Sequence, residues 1–364
     1  MGDLTKLGWP GKNNTVGRNC YSIMRRQLGE AGLGPEMFYV VEDKADKNWG
    51  LMIMEELPDG GFEEDFTSNN VTHDDMRAMG YLFGKIHLLP TNEVSKASEL
   101  AKKLVLEESI VDKEVVEELY QSRGGYIIFL ILWWKKYFPA WMAKNSPQNH
   151  PLPAAYVERF LNIILKVGRI KPLTEVFGRL GFSHTDAWHG NLMRKGEKIV
   201  AIDCETASIG PAFLDLGGIV STASLPHIDR DLREDLLLSF YEAIGEECCD
   251  MEAALYDLEL ASIHRHLWGV LCVQFGLVSA PLTDVERIGE LFFEKGDAMV
   301  NGMEQAAGDK ELMKKIVDHG IFWSIKDKLS EGREEAIRKH VSIISLICDI
   351  NLKFIFFSLK ENDG

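Results

Sequence analysis

Apolar positions recur with two different periods along this chain, and the change between them divides it. Residues Asn19 to Leu28 are spaced as a helix and run into the breakers Gly29, Gly32, Gly34 and Pro35. Two short runs bounded by polar residues, Phe38 to Val41 and Leu51 to Met54, then read as strands, and Glu55-Glu56-Leu57-Pro58 closes the block. Thr72 followed by Asp75 is a helix-start signature, and Met76, Met79, Phe83 and Ile86 repeat at helical spacing until Pro90, a stripe expected to be core. The apolar run Tyr126 to Trp134 is too short to span a bilayer and reads as a buried helix. From Phe182 to Asp203 the pattern turns β-rich, with Leu192 to Arg194 and Ile199 to Ile202 flanking Lys195-Gly196-Glu197 as a small hairpin. Beyond Pro211 helical periodicity returns, from Asp229 onward, in Leu255 to Leu271 and in Val341 to Leu359. The pattern predicts a short mixed α/β start and a long, mainly helical remainder.

Composition bounds the function more than the fold. A chain of 364 residues with 46% hydrophobic and 26% charged positions can bury the core of two or three folding units. Its formal charge of −16 speaks against a nucleic-acid partner or an anionic membrane surface. Such a field favours a cationic substrate, and a charge kept for solubility is the commoner explanation. The six cysteines (Cys20, Cys204, Cys248, Cys249, Cys272, Cys348) fit neither a zinc spacing nor a disulfide framework, so reduced thiols and a cytoplasmic location are expected. Met1 to Lys6 carries no apolar stretch behind a basic start, so no secretory signal is read there, and no membrane insertion is expected. His189, His264 and His266 have no Cys or carboxylate partner at a recognised spacing and are not expected to bind metal.

The chemistry concentrates in Phe182-Ser183-His184-Thr185-Asp186-Ala187-Trp188-His189-Gly190-Asn191 and in Ile202-Asp203-Cys204-Glu205. One carboxylate, an amide and two more carboxylates stand at the mouth of the hairpin. Phosphoryl transfer from ATP needs positioning more than covalent help: a carboxylate to hold the acceptor hydroxyl, and oxygen ligands to hold Mg²⁺ on the phosphates. Asp186 to Asn191 reproduces the five-residue step between a loop Asp and a metal-binding Asn, and Asp203 supplies the further Asp of the next hairpin. Either motif alone is weak. Both, in order and at this separation, are strong.

On these residues the chain resembles the aminoglycoside phosphotransferase and choline/ethanolamine kinase group, whose signatures HxDxxxxN and I-D-x-E stand intact at His184 to Asn191 and Ile202 to Glu205. Ala207 to Gly217, Gly32-Leu33-Gly34-Pro35, Met52 to Leu57, Gly84 to His87 and His264 to Gly269 are similar to further family segments, so the likeness runs over roughly residues 3 to 300. The resemblance implies an α+β, protein-kinase-like two-lobe fold. Residues 1–57 would form a reduced, β-rich nucleotide-binding lobe and hinge, and residues 58–364 a large helical lobe with catalytic loop, metal site and acceptor pocket. It implies ATP and Mg²⁺ as cofactors and a small amino alcohol, choline or ethanolamine, as the phosphorylated substrate in phospholipid synthesis. Asp186 would orient or deprotonate the hydroxyl; His184 stands beside it as a catalytic candidate, with bracing of the loop as its other reading. Asn191 and Asp203 would bind Mg²⁺, and Glu205 a second ion or its waters. Glu55, Glu56 and Leu57 would meet adenine and Lys6 the phosphates. Trp268, and after it Phe293, would enclose the cationic substrate, while Asp215 would anchor loop amides.

The chain also departs from the family. About 55 residues precede Glu55, room for about three strands of ~5–6 residues plus a helix, where the family has five strands. The first two strands and the phosphate-covering glycine loop are therefore expected to be absent, through an incomplete N-terminus or a reduced small lobe. Gly8-Trp9-Pro10-Gly11-Lys12 lacks the P-loop pattern and reads as a turn. If Leu4-Thr5-Lys6-Leu7 stands for the family's third strand, the acidic helix partner of Lys6 would fall on Tyr21, and Trp188 would narrow the acceptor site. Two alternatives stay open: another acceptor, an aminoglycoside or sugar, towards which Gly210-Pro211-Ala212-Phe213 leans, and a non-catalytic relative without the glycine loop. The aromatic clusters Ile321-Phe322-Trp323 and Phe354-Ile355-Phe356-Phe357 suggest packing onto the body or a homodimer contact.

Overall fold

The computed structural model describes residues 24–42, 50–58, 60–62, 70–137, 139, 154–204, 206–221, 228–276, 296–306 and 309–320. Lys6, Tyr21, Glu205, Phe293, the segment 8–12, both terminal aromatic clusters and the helix expected over Val341 to Leu359 lie outside the described residues. Within them the first element is helix α1 (24–30), whose Met24 and Leu28, four positions apart, are both buried. It continues through Gly29, where the sequence reading stops it, and the chain turns at Gly32 with a φ of 69°. Strands β1 (Met37–Glu42) and β2 (Gly50–Met54) follow as an antiparallel pair, with a register shift between Met37 and Tyr39.

Helix α2 (His73–His87) starts at a capping box: the Asp75 amide donates to Thr72 Oγ1 at 3.2 Å and the Thr72 amide to Asp75 Oδ2 at 3.1 Å. Its apolar stripe Met76, Met79, Phe83 and Ile86 is buried, as its spacing predicts. Helices α3 (Asn92–Glu107), α4 (Lys113–Arg123), α5 (Gly125–Leu132) and α6 (Ala154–Arg169) follow. α5 is apolar on nearly every side and correspondingly buried. A π-turn, Trp133–Tyr137, extends it and lays Trp134 on Phe160 of α6 with ring centroids 3.9 Å apart.

Four short strands come next: β3 (Leu180–Ser183), β4 (Leu192–Lys195), β5 (Lys198–Ala201) and β6 (Ser208–Pro211). β4 and β5 form the expected hairpin, one residue tighter than the sequence suggests. Lys195 pairs with Lys198 across a two-residue turn at Gly196, and Ile202 falls outside the ladder. β6, which the sequence reading leaves out, pairs antiparallel with β3, from Leu180 with Pro211 to Ser183 with Ser208.

The remaining helices are α7 (Leu214–Val220), α8 (Arg230–Ile244), α9 (Met251–Gly276), α10 (296–306) and α11 (Lys310–His319). α8 lies on α2, held by His73 Nδ1 and Arg77 Nε on Asp235 at 2.5 and 2.9 Å and by Lys85 Nζ on the Ala243 carbonyl at 2.8 Å. The Asp235 carboxyl sits below its ordinary pKa: burial alone would raise it, and the His73 and Arg77 contacts outweigh burial. Arg233 and Glu259 form a buried ion pair at 2.7 Å, and Arg233 also donates to the Val317 and Asp318 carbonyls at 2.8 and 3.1 Å, joining α8, α9 and α11. α7 is buried along its length between two partners. A methyl on Gly217 would stand 2.4 Å from the Ala261 carbonyl carbon of α9, and one on Gly218 2.0 Å from the Ala187 oxygen. The architecture is α+β, with small antiparallel sheets and a helical bulk, as the sequence predicts. Among the described residues no helix is long and apolar enough to cross a membrane.

Candidate active site

The paired strands β3 and β6 put the loops that follow Ser183 and precede Ser208 side by side. The first of these loops is pinned from beneath by α7: the amides of His184 and Thr185 donate to the two oxygens of Asp215, each at 2.8 Å. Thr185 Oγ1 donates to the Thr206 carbonyl at 2.7 Å and ties the two loops together. Burial pushes the Asp215 carboxyl above its usual range, while the nearby His184 ring and the donated amides act in the other direction. His184 is itself fully buried, its Nε2 2.7 Å from the Ile202 carbonyl, so its ring faces protein on every side. That geometry fits the brace rather than the catalytic candidate.

Asp186 then emerges at the surface of the loop. Asn191 Nδ2 donates to both its carbonyl, at 2.9 Å, and its carboxylate Oδ2, at 3.0 Å, so the five-residue step closes on itself. Asn191 belongs to the 3₁₀ turn His189–Asn191 that opens β4, and its carbonyl accepts the Ile202 amide at 2.9 Å from the end of β5. The hairpin thus delivers Asp203 beside Asn191. Thr185 and Asp203 have φ values of 61° and 60°, two of the three non-glycine residues with positive φ among those described. Such backbones cost of order 1 kcal/mol each and persist where the surroundings fix them, as these hydrogen bonds do. Trp188 does not project freely: a methyl on Gly190 would touch its ring at 2.5 Å, and the ring meets His189 edge-on at 5.0 Å between centroids. Burial holds the His189 pKa down at about 4, so this ring is neutral at pH 7.

Above the hairpin, the Glu55 carboxylate accepts the Glu36 amide at 3.0 Å and Lys195 Nζ at 2.7 Å, and the Glu55 amide donates to the Glu36 carbonyl at 2.8 Å. The Glu36 amide, then Lys195, lowers its pKa. Gly61 forms a β-bridge with Met193, so the segment after β2 crosses directly onto the hairpin. Glu56 is exposed and Leu57 half-buried. Trp268 falls on α9, with its side chain outside the described part.

Arg25 is a site residue that the sequence reading misses. Its Nη2 lies 3.5 Å from Asp203 Oδ1 and its Nη1 3.1 Å from Met54 Sδ. The signal was there in outline: Arg25 falls within the predicted helix Asn19 to Leu28, next to the apolar Met24 whose burial carries it inward. Among the described residues no three His, Cys, Asp or Glu side chains cluster as a metal site. Asp186, Asn191 and Asp203 offer oxygen donors only, a set that suits a hard divalent cation completed by water and phosphate. A separate cavity of about 710 Å³, lined by Arg159, Ile163, Lys166 and Asp297 among others, includes none of these residues.

Residues 21–254 match the family described as the phosphotransferase enzyme family, APH, and the chain belongs to that family. The match is narrower than the span over which the sequence alone suggests likeness. Similar solved structures include a choline/ethanolamine kinase family protein from Mesorhizobium loti, at 15% identity over 82% of this chain and 83% of that one, with a TM-score of 0.44. A choline kinase from Cryptosporidium parvum is 14% identical over 82% of this chain and 79% of its own, with a TM-score of 0.40. An amicoumacin kinase in complex with AMP-PNP and Ca²⁺ is 14% identical over 78% of both chains, with a TM-score of 0.46. No curated protein matches the chain.

Proposed function

We propose that this phosphotransferase moves the γ-phosphoryl group of ATP, with Mg²⁺, to the hydroxyl of a small amino alcohol such as choline or ethanolamine. The observation that carries the reading is the Asp186–Asn191 contact, with Asp203 brought alongside by the hydrogen-bonded hairpin. Asp186 is the group that orients the acceptor hydroxyl and takes its proton. Asn191 and Asp203 would hold the cation, with Glu205 as a further oxygen donor; the bound ion would neutralise charge on the phosphates. Asp215 and His184 are positioning residues that fix the loop's backbone. Backbone groups at Glu55 to Leu57 would meet adenine, with the lobe boundary at residue 57, Lys6 would face the phosphates, and Trp268 and Phe293 would border the acceptor's cationic group. The chain's net charge of −16 supports a cationic acceptor, and its scattered cysteines support the cytoplasm as its compartment.

A second reading keeps the chemistry and changes the acceptor to an aminoglycoside or sugar; the breadth of the family matched by residues 21–254 supports it. Mg²⁺-dependent ADP release with choline, ethanolamine and an aminoglycoside mixture, with Asp203→Ala as the blank, separates the two. Turnover is expected with an amino alcohol and lost in the variant. Turnover with the aminoglycosides alone moves the assignment to the second reading, and none with any acceptor sinks the kinase assignment.

A further inference from the structure

The mechanism so far gives Arg25 no work, yet it sits at the centre of the site. α1 buries Met24 and Leu28, and Arg25 beside them is carried inward, its side chain only 13% exposed. The guanidinium spans from Met54 at the end of β2 to Asp203 at the end of the β4–β5 hairpin. It therefore joins the strand pair to a carboxylate that the proposed reaction reserves for a divalent cation. A guanidinium cannot shed its proton, so the charge beside Asp203 is permanent. Two cations at one carboxylate repel, and that repulsion falls only when further negative charge enters the site. A nucleotide's phosphates bring that charge, in oxygen pairs that match the guanidinium fork.

We propose that Arg25 is a positioning residue that makes cation binding at Asp203 depend on nucleotide: without nucleotide it occupies Asp203 and opposes the metal, and with nucleotide it turns to the phosphates and releases the carboxylate. This deepens the ATP-and-Mg²⁺ reading above and rests on it. The test uses the full chain and its Arg25→Gln and Arg25→Lys forms, titrated with Mn²⁺ alone and followed by electron paramagnetic resonance. Arg25→Gln is expected to bind Mn²⁺ at least about fivefold more tightly than the parent. Arg25→Lys, which keeps the charge, returns to the parent's affinity, and adding Asp203→Asn to Arg25→Gln removes the gain. In calorimetry with a non-hydrolysable ATP analogue and Mg²⁺, Arg25→Gln is expected to weaken binding about tenfold, the size of one charge-assisted hydrogen bond, with adenosine unaffected. An unchanged Mn²⁺ affinity, or a gain that survives Asp203→Asn, overturns the proposal. If the parent binds no ATP analogue, the kinase reading is what fails, and the Mn²⁺ series still decides whether Arg25 guards Asp203. Arg25→Met, which keeps the apolar stem, replaces Arg25→Gln in every comparison should the latter not fold.

Discussion

Asp215 on α7 and Asp186 in the loop that it anchors are assigned opposite jobs, which single substitutions separate. Asp215 is buried and accepts two amides at 2.8 Å, so Asp215→Ala strands two buried donors. At about 1–3 kcal/mol per unsatisfied group, that variant is expected to lose roughly 2–5 kcal/mol in denaturant unfolding, and Asp215→Asn, which keeps one acceptor, about half as much. Asp186 is half-buried, and its carboxylate accepts from Asn191 at 3.0 Å. Asp186→Asn is expected to leave the unfolding midpoint unchanged and to cut kcat by about 10²–10⁴, the usual worth of a positioned general base; near-normal turnover would contradict its role. At this scale the sequence was informative where the contacts are local. Asp186 and Asn191 are five residues apart, and so is the chemistry they share. Arg25 reaches Asp203 across 178 residues, and no spacing rule spans that distance.

Among the elements, α7 carries the most consequence for its size. It has seven residues, and Gly218 presses its backbone against the Ala187 carbonyl in the loop that carries Asp186. Gly218→Ala would place a methyl 2.0 Å from that oxygen, so the loop must move. The expected cost is about 1–3 kcal/mol of stability, as for other overpacked cores, together with a fall in kcat; Gly245→Ala, at an open helix end, serves as the comparison for activity. The α2 start was legible because a capping box is written in four consecutive residues, and the hairpin because its apolar strands flank a glycine turn. β6 was not, since Ser208-Ile209-Gly210-Pro211 offers neither alternation nor β-branched enrichment, and its partner is β3, on the far side of the hairpin.

For the whole molecule, acid is the sensitive variable. Burial lowers the pKa of both His87 and His189 to about 4. Their unfolded value is near 6.5, so between pH 6.5 and 4 the unfolded chain binds protons that the folded rings refuse, and stability falls as pH falls. Each ring contributes about 1.4 kcal/mol per pH unit inside that window. Asp215 and Asp257, raised by burial, pull the other way towards its acid end. Burial holds His264 well below its ordinary value too, so it adds to the decline. Denaturant unfolding at pH 7, 6 and 5 is expected to show it, and His87→Gln should flatten it by about a third; a slope indifferent to that change would contradict the assignment. A second global test is the Arg233–Glu259 pair, where Glu259→Ala leaves a buried guanidinium uncompensated and is expected to cost about 3–5 kcal/mol. Neither property could be read in advance, because a charge or a histidine in sequence carries no record of what will cover it.

The separation of 178 positions from Arg25 to Asp203 also has a meaning in time. At about 5–20 residues per second, α1 is synthesised roughly ten to forty seconds before Asp203, two residues past β5, exists. Through that interval the Leu33 carbonyl lacks the Ala201 amide that it later accepts, and Phe38, Tyr39 and Ile53 are exposed even in the finished fold. The nascent chain must therefore carry an unsatisfied apolar surface for much of its synthesis.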